Sequence, residues 1–94
     1  MFEIVEKTYL NPSMTKMVIK APLVAAKAQA GQFIILRVDE YGERIPLTIA
    51  DYDREKGTVT IIYQKVGKTT MLLDTYGAGE SISDFVGPLG KASE

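Results

Sequence analysis

Apolar and β-branched residues in this chain come in short runs, and each is stopped by Gly, Pro, Asn, Asp or Glu before it reaches the length of an ordinary helix. Strands joined by tight turns are the backbone arrangement that this spacing permits. The runs are Phe2 to Leu10, turned by Asn11-Pro12-Ser13; Met14 to Ala21; Gln32 to Asp39; Ile45 to Tyr52; Thr58 to Val66; and Ser81 to Val86, which Gly87-Pro88-Leu89-Gly90 ends. In the second run Thr15, Met17 and Ile19 alternate with Lys16 and Lys20, the period of a half-buried strand. The unbroken stretch Phe33-Ile34-Ile35-Leu36 suits a strand covered on both faces or at the centre of a barrel. Glu40-Tyr41-Gly42-Glu43 and Asp53-Arg54-Glu55-Lys56-Gly57 supply hairpin connections. Strands separated this way favour an antiparallel sandwich or barrel.

Two segments break the pattern. Pro22 to Ala30 is Ala-rich and closes on Gly31, and it reads as a connecting loop with at most one irregular turn. Gly67-Lys68-Thr69-Thr70 leads into Met71 to Tyr76 and stops at Gly77, which predicts a short helix with a hydroxyl-rich start and a glycine C′ residue.

Composition narrows the chemistry. The 94 residues, 46% hydrophobic and 24% charged, provide for one globular domain with a modest core and argue against a disordered chain. Eleven Lys plus Arg against twelve Asp plus Glu leave a net charge of -1, so no field gathers nucleic acid or anionic lipid. There is no Cys and no His, which removes thiolate nucleophiles, disulfides, the usual zinc sites, Cys-ligated iron-sulfur clusters and His-ligated haem from this chain. A redox role would need a bound organic cofactor. Met1 to Leu10 alternates charged and apolar residues, so neither a signal peptide nor a membrane span is expected there, and the default location is cytoplasmic.

Three stretches could carry chemistry. Gly67-Lys68-Thr69 invites comparison with the phosphate loop of nucleotide triphosphatases, but that loop requires a glycine where this chain has Ile62. What survives is anion binding by the amides and hydroxyls of a helix start, set against the simpler reading that Thr69 or Thr70 caps the helix. In Arg44-Ile45-Pro46-Leu47-Thr48-Ile49-Ala50-Asp51, Pro46 cannot donate a ladder hydrogen bond, so the strand is expected at an edge or at the lip of an opening. The alternative is a proline-protected edge with Arg44 solvated. Thr58 to Val66 puts Thr60, Ile62 and Gln64 on one face and Val59, Ile61 and Tyr63 on the other. Gln64 and Tyr63 could meet a ligand, or Tyr63 could pack with a wet hydroxyl. Asp51, Asp53 and Glu55 read as a solvated turn in preference to an acid-base pair.

In order, R-x-P-L-T-I-A-D, I-Y-Q-x-V-G-K-T-T and D-F-V-G-P-L-G resemble the flavin-binding domain of the ferredoxin-NADP reductase superfamily over nearly the whole chain. Within it the resemblance is strongest to the alpha subunits of NADH-dependent reduced ferredoxin:NADP oxidoreductase, with the electron-transfer subunits of dihydroorotate dehydrogenase nearby. It implies an all-β fold, a six-stranded antiparallel Greek-key barrel with one short helix after the fifth strand. It further implies that residues 1–90 bind FAD, with Ile45, Pro46, Leu47 and Thr48 along the flavin ring and ribityl chain and Thr48 near the reactive N5 edge. Ile62, Tyr63 and Gln64 would form a second wall, toward the ribityl and adenine portions, and Gly67, Lys68, Thr69 and Thr70 would hold the pyrophosphate. The superfamily's Arg-x-Tyr-Ser/Thr pattern is altered: Arg44 is displaced by one residue, which in a strand turns it to the opposite face, so it is not carried over as a phosphate ligand. Leu47 stands where a stacking Tyr would be. Residues 91–94 would begin a linker to an NAD(P)-binding domain and a [2Fe-2S] segment that this chain lacks. The resemblance thus implies one domain of an oxidoreductase that passes electrons between a nicotinamide dinucleotide and an iron-sulfur or ferredoxin partner. A larger iron-sulfur flavoprotein subunit is the implied partner, and the isolated domain is expected to bind cofactor without turnover. Two competing readings are a barrel that binds a protein partner or single-stranded nucleic acid, and a scaffold whose flavin site has decayed.

Overall fold

The predicted runs all pair as strands in the computed structural model, which describes residues 2–91. The elements are β1 (Phe2–Asn11), β2 (Met14–Lys20), α1 (Pro22–Lys27), β3 (Phe33–Arg37), β4 (Ile45–Asp53), β5 (Thr58–Gln64), α2 (Lys68–Leu73), β6 (Ser81–Ile82) and β7 (Asp84–Leu89). They form one antiparallel sheet in the order β6-β1-β2-β5-β4-β3-β7. The hairpins β3–β4 and β4–β5 bring β5 back beside β2, which makes a Greek key.

The structure has seven strands where six are expected, and the difference lies at one residue. The run Ser81 to Val86 is interrupted at Ser83: its first part pairs with β1 (Phe2↔Ile82) and its second with β3 (Arg37↔Asp84). Ser83 N–H turns away to the carbonyls of Arg37 and Val38, at 3.1 and 3.2 Å. One stretch of chain therefore serves both edges of the sheet, and that exchange of partners nearly closes the barrel. Closure removes the open edges that a flat sheet of this size would expose.

The stretch expected as a loop after β2 contains a helix. Pro22 occupies the first turn of α1, where a missing N–H costs nothing, and Val24, Ala25 and Ala28 are buried as the helix packs against β5 and β7. Arg54 donates to the carbonyls of Ala26 and Ala28, at 3.3 and 2.7 Å, satisfying the end of the helix from the β4–β5 turn. This end of the barrel is plugged. The sequence reading gave the alanines too little weight because the helix-stabilising partner lies more than two dozen residues away.

The second helix follows β5 as expected but ends earlier, at Leu73, with Asp74 in the αR region. Asp74 N–H still bonds to Thr70 O, whereas Thr75 and Tyr76 make tighter bonds to Leu72 and Leu73. Gly77 is no left-handed C′ residue; its N–H is taken by Glu80 Oε1 at 2.9 Å. Inside the barrel, Met17, Ile19, Ile34, Leu36, Ile49, Val59, Ile61, Tyr63, Leu73 and Ile82 form the core. No helix among the described residues is long and apolar enough to cross a membrane. The linker expected at 91–94 lies, beyond Lys91, outside the described residues.

Candidate functional site

Strand β4 lies inside the sheet and yet has a free edge. Its ladder with β3 covers Ile45 to Thr48, through Phe33↔Thr48 and Ile35↔Pro46, but its ladder with β5 stops at Ile49↔Ile61. Residues 45–48 and 62–64 consequently diverge into a split. Pro46 sits where no N–H is missed on the β5 side, so of the two expected placements, an edge or the lip of an opening, the strand takes the second: it is interior, with an open lip. The lips of this split are the two stretches, Ile45 to Thr48 and Ile62 to Gln64, that the sequence reading set as facing walls.

Alternation decides which side chains reach outward. Pro46 and Thr48 are exposed, while Ile45 and Leu47 are half-buried against the core. Phe33, Pro46, Leu47 and Thr48 line an open, mainly apolar hollow of about 420 Å³. Phe33 is a lining residue that motif reasoning missed; its pairing with Thr48 across the β3–β4 ladder was the signal that only a register could supply. On β5, Gln64 is exposed and Ile62 half-buried, but Tyr63 points into the barrel and is 2% exposed. As a wall, Tyr63 contributes backbone; its ring belongs to the core.

Gly67-Lys68-Thr69-Thr70 forms the start of α2, where the first helical bond is Met71 N–H to Gly67 O at 2.9 Å. The amides of Lys68, Thr69 and Thr70 therefore precede the first turn and have no intrahelical acceptor. The Thr70 hydroxyl is already engaged: it accepts from the N–H of Val66 and Gly67 at 3.2 and 3.1 Å and donates to Gly67 O at 3.0 Å. It acts as a cap. Lys68 and Thr69 remain turned toward a second hollow of about 260 Å³, whose other wall is the β3–β4 turn with Asp39, Tyr41, Gly42 and Glu43. Arg44, 61% exposed, lies 3.4 Å from Asp84, which Arg37 also meets at 2.8 Å. Asp51 and Glu55 are exposed and Asp53 accepts from Lys56 N–H, as suits a solvated turn.

A polar cluster that sequence reasoning did not find anchors α2 behind this site. Asp74 Oδ1 accepts from Thr15 Oγ1 at 2.7 Å and from Tyr63 Oη at 3.0 Å, and Lys7 and Lys65 lie 3.8 and 3.5 Å from the carboxylate. Burial acts to raise the Asp74 pKa, but the two hydroxyl donors and then the two lysines outweigh it and hold the carboxyl below its ordinary value. The Tyr63 hydroxyl is pushed up, first by burial and then by its bond to that carboxylate. These partners are separated by 59 and 11 positions in sequence, with no motif to link them.

The chain thus forms an antiparallel Greek-key barrel split between β4 and β5, with a helix start at the head of the split. A solved structure described for flavin-based electron bifurcation by NADH-dependent reduced ferredoxin-NADP oxidoreductase superposes with a TM-score of 0.95 at 43% identity, over 98% of this chain and 33% of that one. The chain is 44% identical over 92 residues to a dihydroorotate dehydrogenase B (NAD(+)) electron transfer subunit homolog of Thermotoga maritima, and 37% identical over 91 residues to the electron transfer subunit of Shouchella clausii. These alignments take in 98% and 94% of this chain and 33% and 35% of the relatives. An uncharacterized protein of Clostridium beijerinckii is 57% identical over 94 residues, all of this chain and 32% of that protein. No family model matches. Over nearly its whole length the chain is similar to these electron-transfer subunits and to that oxidoreductase, and it spans about a third of the length of the relatives it matches.

Proposed function

We propose that this chain is the FAD-binding barrel of an electron-transfer flavoprotein subunit. The observation that carries the reading is the split between β4 and β5, an open apolar recess in a chain whose relatives are named as electron-transfer subunits. The residues fit a flavin. Pro46 and Phe33 offer a flat apolar rest, Leu47 backs it with an aliphatic surface, and the exposed Thr48 hydroxyl is placed for a hydrogen bond at the ring's reactive edge. Ile62, the backbone of Tyr63 and Gln64 form the opposite lip, along the ribityl chain. Gly67, Lys68 and Thr69 meet the pyrophosphate with amides, a cation and a hydroxyl, while Thr70 holds the turn that presents them.

When bound, the flavin supplies hydride and single-electron transfer. This chain's own residues position it and shield one side from water. The nicotinamide-binding domain and a [2Fe-2S] segment belong to the remaining two thirds of a longer protein, and a larger iron-sulfur flavoprotein subunit is its partner. Hydride exchange needs two rings held in contact, so the barrel by itself binds without turning over.

Titrating the purified protein with FAD and with FMN, followed by flavin fluorescence and visible absorption, tests the reading. Saturable quenching or a spectral shift is expected. FAD at a hundredfold excess over its dissociation constant should stabilise the fold by about 2.7 kcal/mol, readable as a thermal shift. No saturable change with either flavin would overturn the assignment.

A further inference from the structure

We propose that Asp74 is a positioning residue for the flavin site: from the far end of α2 it holds the start of that helix in place against the β5 lip. The inference rests on the flavin reading and adds to it a residue outside the recess itself. Lys68–Leu73 is a helix of six residues, about 9 Å long, too short to keep its place by its own hydrogen bonds. At its start the Thr70 hydroxyl bonds only to Val66 and Gly67, within the connection that leads into the helix. Among the described residues, every hydrogen bond between residues 67–76 and a strand of the barrel is made at Asp74 or Tyr76. The start of α2 is therefore placed from its other end.

Thr15 and Tyr63 are partners across the β2–β5 ladder, so their side chains leave the sheet side by side on its inner face. Both hydroxyls converge on Asp74 Oδ1, at 2.7 and 3.0 Å. Two donors on neighbouring strands fix the direction of the carboxylate as well as its distance. Lys65 lies 3.5 Å from Oδ2, and Lys7 Nζ donates to the carbonyls of Asp74 and Tyr76, which satisfies the end of the helix. Tyr63 is also the middle residue of the lip at 62–64. One hydrogen bond thus joins the strand that carries a wall of the recess to the helix whose start is proposed to meet the pyrophosphate. Leu73 is fully buried beside it, but apolar burial has no direction. It keeps α2 on the barrel, and Asp74 sets where the helix start comes to lie.

The test measures FAD affinity by fluorescence titration, together with the melting temperature, for the wild-type chain and for Asp74→Ala, Asp74→Asn, Tyr63→Phe and Gly57→Ala. Asp74→Ala should weaken FAD binding about tenfold, and Tyr63→Phe, which removes one of the two holds, about threefold. Asp74→Asn keeps the accepting oxygen and loses the charge, so it should melt below the wild type yet recover most of the affinity that Asp74→Ala loses. Gly57→Ala strains the backbone at the other end of β5, so its melting temperature should fall while its FAD affinity stays that of the wild type. Affinity within about twofold of the wild type in both Asp74→Ala and Tyr63→Phe would overturn the positioning role and leave the flavin reading standing. So would a Gly57→Ala loss as large as that of Asp74→Ala, or an Asp74→Asn loss equal to it. Should Asp74→Ala not fold, Tyr63→Phe decides, with Gly57→Ala as its control. No FAD binding to the wild type would overturn both readings.

Discussion

Asp74 occupies the point where β1, β2, β5 and the end of α2 meet, and its ionisation couples the four. Because its folded pKa is depressed, the stability it contributes is complete above the ordinary carboxylate value of 3.8 and is lost as pH falls through the lower folded value. Urea unfolding at several pH values checks this: the stability gap between wild type and Asp74→Asn should be widest near neutrality and narrow below pH 3.8. Tyr63 carries the opposite sign. With its pKa raised, the folded state holds the proton longer than the unfolded one, so stability falls as pH climbs past the ordinary tyrosine value of 10.0, and Tyr63→Phe should flatten that decline. Thr48 has a role only in the proposed flavin site. Its side chain is exposed and bonds to no described residue, so Thr48→Val should leave the melting temperature unchanged and weaken flavin binding by about 0.5–1.5 kcal/mol, measured by fluorescence titration.

Among elements, α2 shows how a helix of six residues is held. Propensity alone cannot maintain so short a helix. Its start is closed by the Thr70 hydroxyl and its end by Asp74, each joined to neighbouring backbone or strands. Thr70→Val should therefore cost about 0.5–2 kcal/mol of stability in denaturant melts, whether or not flavin is present, because it frees the amides of Val66 and Gly67. The β4–β5 turn holds α1 in a comparable way. Gly57 has φ of 69°, accepts a bond from Ala21 N–H, and leaves only 3.1 Å between Pro22 and any Cβ placed there. Gly57→Ala should destabilise the fold by about 1–3 kcal/mol through both causes, visible as a lowered denaturation midpoint.

At the scale of the molecule, the barrel is a sheet closed by one strand that changes partners at Ser83. Sheet geometry explains the split as well. Twist and closure prevent every strand from pairing along its full length, and the pair β4–β5 separates where Pro46 already lacks a donor. A recess formed this way is rigid, since its lips remain paired on their far sides, through β3 and β2.

Much of this was legible along the chain. Alternation in Thr58 to Gln64 put Ile61 and Tyr63 on the face opposite Ile62 and Gln64, without showing which face is the inner one, and Pro46 marked an edge or a lip. The short runs announced an antiparallel barrel or sandwich, and the lack of Cys and His directed any redox chemistry to an organic cofactor. These features are local: they depend on period, on a missing N–H and on which functional groups are present. Tertiary structure alone decided that Phe33 faces Thr48, that Arg54 ends α1, that the turn carrying Tyr41 closes on α2, and that Asp74 gathers Thr15, Tyr63, Lys7 and Lys65. Such contacts join residues remote in sequence, and a residue's nearest neighbours in the chain contain no record of what the folded barrel brings against it.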